Sequence, residues 1–190
     1  MVGVQVEKGR GPLDDPGYDD EAGAAMQIEP ERPEDSSAIR LLTRAAFEGA
    51  PYSRQTEAQI VDALRAAGAL AISLVAIVEG EVVGHAGFSP VSIDGVKGDW
   101  YGLGPVSVSP ARQGRGIGQA LIRDGLQRLS SLAASGCVVL GAHAYYGRFG
   151  FESDPALFYG DVAPGYLQRL VFKGPAPKGE VTFHPGFDAS

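Results

Sequence analysis

Apolar positions recur along this chain at two spacings, and the change from one to the other divides it into elements. Ile39, Leu42, Ala46 and Phe47 stand three to four residues apart behind the polar group Glu34-Asp35-Ser36. Ile60, Ala63, Leu64 and Ala67 repeat the spacing behind Gln55-Thr56-Glu57, which predicts two short helices, each opened by a capping group. The polar, turn-rich stretch 48–53 joins them. From residue 72 the pattern changes to β-branched runs. Residues 72–79 and 82–91 flank Glu79-Gly80-Glu81 and predict an antiparallel hairpin. Asp94-Gly95 then opens a second turn into a strand over 100–108. That strand holds Gly102, Gly104 and Pro105. Proline cannot donate to a ladder and glycine packs nothing, so the letters predict a β-bulge or a splayed edge there.

Helical spacing returns at Ile117, Leu121, Leu126, Leu129 and Leu132, with Arg123, Asp124, Gln127 and Arg128 off that face and Gly136 where a C-terminal cap is expected. A buried strand over 137–142 follows. Strand, helix and strand in this order make a right-handed parallel crossover. An antiparallel hairpin followed by a parallel unit implies an α/β (α+β) fold with a mixed, mostly antiparallel central sheet and flanking helices. Beyond residue 151 the stretches 168–173 and 180–183 read as strands separated by the turn-forming run 174–179. Neither internal repeats nor coiled-coil heptads are visible.

Composition narrows what such a chain does. Residues 1–25 carry Asp14, Asp15, Asp19, Asp20 and Glu21 among glycines and prolines and read as a flexible acidic tail, which leaves 26–190 as one domain beginning at Met26. A net charge of -7 argues against a protein that holds nucleic acid by its phosphates. The single cysteine, Cys137, lies in an apolar run and is expected to be a buried inert thiol. With it go an intrachain disulfide and a cysteine cluster for zinc, and the three histidines lack metal-ligand spacing, so no metal is expected. The longest apolar stretch, 66–78, is shorter than a membrane span of about 20 residues, and no secretory signal pattern opens the chain. The expectation is a cytoplasmic protein without nucleic-acid or membrane partners.

The chemistry concentrates in Gln113-Gly114-Arg115-Gly116-Ile117-Gly118, between an apolar strand and a helix. Glycines allow close backbone approach, and the unpaired amides of a helix N-terminus face an anion, so the stretch reads as a phosphate or pyrophosphate loop flanked by Arg112 and Arg115. A Walker A loop ends in Gly-Lys-Ser/Thr, whereas this one runs on to Gly118-Gln119-Ala120, which disfavours ATP. A dinucleotide fingerprint wants a third glycine where Gln119 stands. The remaining Gln-x-x-Gly-x-Gly pattern resembles the pyrophosphate loop of the GNAT superfamily of acyl-CoA-dependent N-acetyltransferases. A second match, Tyr145-Tyr146-Gly147-Arg148-Phe149-Gly150-Phe151, is similar to that family's late Tyr-x-x-x-Gly-Phe signature.

The resemblance implies acetyl-CoA as co-substrate and a splayed pair of parallel strands to receive it. Pantetheine would pair with the backbone of Val106, Ser107 and Val108, and the pyrophosphate would sit on the amides of Gln113, Gly114, Arg115, Gly116, Ile117 and Gly118. An amide of Val106 or Ser107 would polarise the thioester carbonyl. The family's route is direct attack by an amine, with Tyr146, four residues before Gly150, contacting CoA and protonating the departing thiolate. Tyr145 is expected to point elsewhere and pack. Many members place an asparagine upstream of this tyrosine, where this chain reads Gly141-Ala142-His143-Ala144, so no CoA contact carries over from there. His85 is the first candidate for the base that frees the amine, ahead of Asp99 and Glu48, while His143 and His184 are assigned no catalytic part. The acceptor is a small-molecule or peptide amine, and a homodimer is left open. A non-catalytic acyl-CoA sensor on the same fold is the alternative.

Overall fold

The computed structural model describes residues 25–190, so the acidic tail expected at the N-terminus lies, apart from Ala25, outside the described residues. The elements are β1 (Gln27–Pro30), α1 (Ser36–Phe47), α2 (Glu57–Ala66), β2 (Ile72–Val78), β3 (Glu81–Ile93), β4 (Val96–Val108), α3 (Ile117–Ser131), β5 (Gly136–Leu140), the short α4 (His143–Tyr146), β6 (Leu157–Phe158), β7 (Leu167–Val171) and β8 (Gly179–Thr182). The strands form one sheet in the order β1-β2-β3-β4-β5-β7, with β8 added to the end of β3 and β6 paired to β8. The pairing of β4 with β5 is parallel, that of β6 with β8 is also parallel, and the other pairings are antiparallel.

Both hairpin turns follow from their letters. Glu79 and Gly80 have φ of 54° and 81°, and Asp94 and Gly95 have 49° and 73°. Two successive positive φ values make the turn whose twist matches that of the strands. The second strand of the later hairpin starts at Val96, earlier than the expected residue 100, because the turn is tight enough for Ile93 to pair directly with Val96.

The sheet buries both faces. Gly84 lies under Ile117 and Leu121 of α3, and Phe88 occupies the space above Gly125 on the same helix. The opposite face receives α1, where Ser107 Oγ donates to Thr43 Oγ1 at 3.1 Å. Ile39, Val61 and Val75 form an apolar cluster between the two N-terminal helices and the sheet.

Several expectations change. Leu132 is 62% exposed, because α3 has ended and the chain reverses there: Ala133, at φ 59°, takes the left-handed position expected of Gly136. Gly136 instead begins β5, where a Cβ would run into the Leu170 carbonyl and the Trp100 ring. β5 stops at Leu140, short of residue 142. In α2 the buried positions are Glu57, Ala58, Ile60, Val61 and Leu64, while Ala67 is exposed, because α2 is covered on a second side by the C-terminal residues Phe187 and Ala189. β6 carries no alternation that the sequence could reveal, having two residues.

Candidate active site

The glycines and proline of β4 mark the place where the sheet opens. Ala86 pairs with Val106 and Phe88 with Leu103, so two residue steps on β3 answer three on β4, which is a bulge at Gly104 and Pro105. Gly104 has φ 140° and the bond to Pro105 is cis. On the other side of β4, pairing with β5 runs from Trp100↔Gly136 to Leu103↔Val139 and ends there. Val106, Ser107 and Val108 therefore have a partner on β3 and none on β5, which leaves that backbone edge available to an extended ligand.

The glycine loop stands at the end of this edge. Gln113 Nε2 donates to the Val108 carbonyl at 3.1 Å, tying the loop to the strand. Gly114 and Gly116 both have φ 79°, a conformation that favours glycine and that turns the chain into α3. The first bond within the helix is Ala120 N to the Gly116 carbonyl, so the amides of Ile117 and Gly118 precede the ladder and carry the positive end of the helix dipole. Of the two flanking arginines, Arg112 forms an ion pair with Glu79 at 3.1 Å.

Tyr146 lies beyond the end of β5. Its ring packs against Gly141 and meets Phe151 edge-on with centroids 5.9 Å apart. The residue is fully buried, and its hydroxyl has no hydrogen-bond partner among the described residues. Burial pushes the phenol well above its ordinary range, and the neighbouring Tyr145, Tyr52 and Cys137 push the same way. The turn that delivers it is held by Gln168, whose Nε2 donates to the Gly141 carbonyl at 2.7 Å and whose Oε1 lies 3.0 Å from His143 Nδ1. Through that contact His143 helps to hold the turn.

Tyr145 is buried, in keeping with its expected packing role. It packs, edge-on to Tyr146 at 5.1 Å and under the Arg148 guanidinium at 4.6 Å, yet its hydroxyl reaches the first turn of α3, 3.5 Å from where a Cβ on Gly118 would be. Sequence spacing could not show this, since α4 is only one turn long.

His85 sits opposite Ser107 on the face toward α1 and is wholly buried. Ser73 gives its single hydroxyl proton to Glu31, so His85 Nε2, 2.9 Å from Ser73 Oγ, must be the donor of that contact. Its Nδ1 is then an acceptor without a partner among the described residues. Burial lowers the His85 pKa despite Glu31 alongside, which favours the neutral ring. Glu31 is also paired with Arg65. Asp99 is exposed near the far end of β4, Glu48 is exposed at the end of α1, and His184 Nδ1 accepts from Gly186 N in the C-terminal turn. Among the described residues no group of three or more His, Cys, Asp or Glu is placed to hold a metal, and no helix is long and apolar enough to cross a membrane.

A cavity of about 800 Å³ opens on the α2 face of the sheet. Leu103 and Leu140, at the ends of the paired segments of β4 and β5, belong to its wall. Other parts of the wall come from α2 through Glu57 and Ile60, from Tyr159 and Asp161, and from Phe183 and Phe187 near the C-terminus. Glu57 is 2% exposed and accepts a hydrogen bond from Ser53 Oγ at 2.7 Å. Sequence reading passed over it as a polar residue at a helix start. His85 does not line this cavity.

Residues 37–151 match the acetyltransferase (GNAT) family. A GNAT family acetyltransferase from Brucella melitensis, solved in complex with acetyl-CoA, is 52% identical and covers 86% of this chain and 99% of its own, with a TM-score of 0.78. The YhbS N-acetyltransferase of Escherichia coli, solved in complex with CoA, superposes with a TM-score of 0.80 at 30% identity, over 93% of this chain and 96% of its own. In sequence comparison the YhbS protein of Escherichia coli K12, an uncharacterized N-acetyltransferase, is 38% identical over 128 residues, which is 67% of this chain and 74% of that protein.

Proposed function

This chain belongs to the acetyltransferase (GNAT) family, and from that premise we propose that it transfers an acetyl group from acetyl-CoA to a primary amine by direct attack. The reading rests on one observation: β4 and β5 part at Leu103 and Val139, and the buried Tyr146 hydroxyl beyond the end of β5 has no hydrogen-bond partner among the described residues. Relatives of this fold that hold acetyl-CoA or CoA support it.

Pantetheine lies along Val106, Ser107 and Val108, and the pyrophosphate on the amides from Gln113 to Gly118. The amine enters from the cavity on the α2 face. Its nitrogen bonds to the thioester carbon, an amide of Val106 or Ser107 stabilises the oxyanion, and the C–S bond breaks. One proton leaves the nitrogen and one reaches sulfur, so amine and acetyl-CoA give amide and CoA thiol. Tyr146 delivers the proton to sulfur. Its raised pKa does not disqualify it: the transfer moves one negative charge from thiolate to phenolate inside the same desolvated space, and burial penalises both. Cys137, buried next to it, shows the thiol side of this balance, since burial also pushes its pKa up. His85 is sealed from the cavity, so the proton of the amine leaves through cavity water, with Glu57 the buried carboxylate in the wall. A cytoplasmic site of action completes the reading.

The test is a thiol-release screen of the full chain with acetyl-CoA and pooled amines, including amino acids, polyamines, aminoglycosides and peptide N-termini. Turnover that falls by about 10² to 10⁴ in Tyr146→Phe, with CoA affinity kept, supports the reading. Thermal stabilisation by acetyl-CoA without thiol release from any pool would instead identify a non-catalytic acyl-CoA sensor.

A further inference from the structure

The acceptor cavity is acidic and aromatic at once. Glu57 is buried in its wall, and its carboxylate has one hydroxyl donor and no ion-pair partner among the described residues. A buried carboxylate without a cation is costly unless something that enters the cavity neutralises it. Two further carboxylates, Asp161 and Asp188, line the same cavity from exposed positions and so stand at its rim. Among the described residues that line the cavity Arg54 is the one basic side chain, leaving a surplus of negative charge. Three rings in contact also line it: Tyr159 and Phe183 meet edge-on with centroids 5.1 Å apart, and Phe183 and Phe187 lie tilted to each other at 5.2 Å. Aromatic surface accepts both an alkyl spacer and a positive charge.

We infer that the acceptor is an amine with a second positive charge on an apolar spacer, its inner ammonium drawn in by Glu57 and its outer one held at the rim by Asp161 and Asp188. This rests on the acetyltransfer reading and adds the class of substrate. A dication matches the surplus charge, and a zwitterion would place its carboxylate against Asp161 and Asp188, where like charges repel. Since the inner ammonium must lose a proton before attack, the outer charge is what keeps the acceptor bound once the reacting nitrogen is neutral.

Hexamethylenediamine, hexylamine and aminocaproate share a six-carbon frame and differ only in the distal group, so they separate charge from size. With the full chain and saturating acetyl-CoA, kcat/KM for the diamine is expected to exceed that for hexylamine by about tenfold and that for aminocaproate by about a hundredfold, and added salt should narrow both gaps. In the double variant Asp161→Asn, Asp188→Asn, whose exposed positions spare the fold, the diamine-to-hexylamine ratio is expected to fall to about one. Glu57→Gln should weaken all three amines. Aminocaproate acetylated as well as the diamine, or a ratio unmoved by the double variant, would overturn the acceptor class while leaving acetyltransfer standing. If no amine is acetylated, calorimetric titration into the CoA complex decides separately. Binding of the diamine but not of aminocaproate sustains the cavity's selectivity and sinks the transfer reaction, and binding of neither sinks both.

Discussion

The ring of Tyr146 lies so close to Gly141 that the α-carbon of one residue defines the position of the other. A Cβ on residue 141 would come within 2.3 Å of a Tyr146 ring carbon, and Gly141 is itself fixed by the Gln168 amide on its carbonyl. The first residue after β5 thus sets where the phenol stands relative to the opening between β4 and β5.

Gly141→Ala should therefore act on activity through Tyr146. Forcing a methyl into a packed site costs about 1 to 3 kcal/mol. The ring must shift to make room, and a displaced donor loses proton transfer before it loses binding. The expected outcome is a lower melting temperature together with a fall in kcat larger than any change in the KM for acetyl-CoA, read by thermal unfolding and steady-state kinetics on the same preparation.

Tyr146→Phe should move stability and activity in opposite directions. The hydroxyl removed is buried and makes no hydrogen bond within the described protein, so its desolvation is uncompensated, at a cost of about 1 to 3 kcal/mol. Taking it away leaves the ring contacts with Gly141 and Phe151 in place. Denaturant unfolding of the apo protein is expected to show the variant as stable as the parent or more so, while turnover collapses. A clear loss of stability would mean that the hydroxyl has a structural partner and is not reserved for a ligand.

Features that depend on backbone chemistry were legible in the letters. Glu79-Gly80 and Asp94-Gly95 announce their turns because few residues tolerate positive φ, and Gly104-Pro105 announces the bulge because neither residue serves a ladder. The glycine loop belongs to the same group, since Gly114 and Gly116 both take positive φ. What stayed hidden depends on segments distant in sequence. Glu57 reads as an ordinary first-turn carboxylate, and becomes a buried wall of a cavity only because Phe183, Phe187 and the stretch 159–163 fold over α2. Gly136 looks like a cap until Trp100 and Leu170 are seen to need its missing side chain. The burial of His85 is equally non-local, since its partners Ser73 and Glu31 come from β2 and from the residue after β1.

That last group should make the fold sensitive to acid. Burial works to raise the Glu31 pKa, but the donors around it, His85, Arg65 and Ser73, outweigh burial and hold the carboxyl at about 2. Its folded pKa lies below the unfolded one, so its contribution is complete above the ordinary carboxylate range and is lost as pH falls toward 2. Burial likewise holds the His85 pKa below its ordinary value. Below about pH 6.5 the unfolded chain takes up a proton that folded His85 refuses, so the sign is the same and stability again falls with pH. Urea midpoints measured from pH 8 down to pH 4 should fall, and His85→Gln should flatten the portion that begins below about pH 6.5, the ordinary imidazole pKa. A variant whose curve runs parallel to that of the parent would remove His85 from this linkage.

Cys137 should be silent in the folded protein. It is fully buried in β5, with its Sγ near the Val138 carbonyl at 3.6 Å, and burial pushes the thiol pKa far up, although a hydrogen bond with the Leu103 backbone works the other way. Thiol reagents attack the thiolate, so both access and ionisation protect it. An aromatic disulfide reagent is expected to find no reactive thiol in the native chain and one per chain in denaturant, at a native-state rate that follows unfolding rather than reagent concentration. The same reagent reports CoA release, so the native background should be flat. A fast reaction of Cys137 without denaturant would show that β5 opens toward solvent, and the splay between β4 and β5 would then reach deeper than Leu103 and Val139.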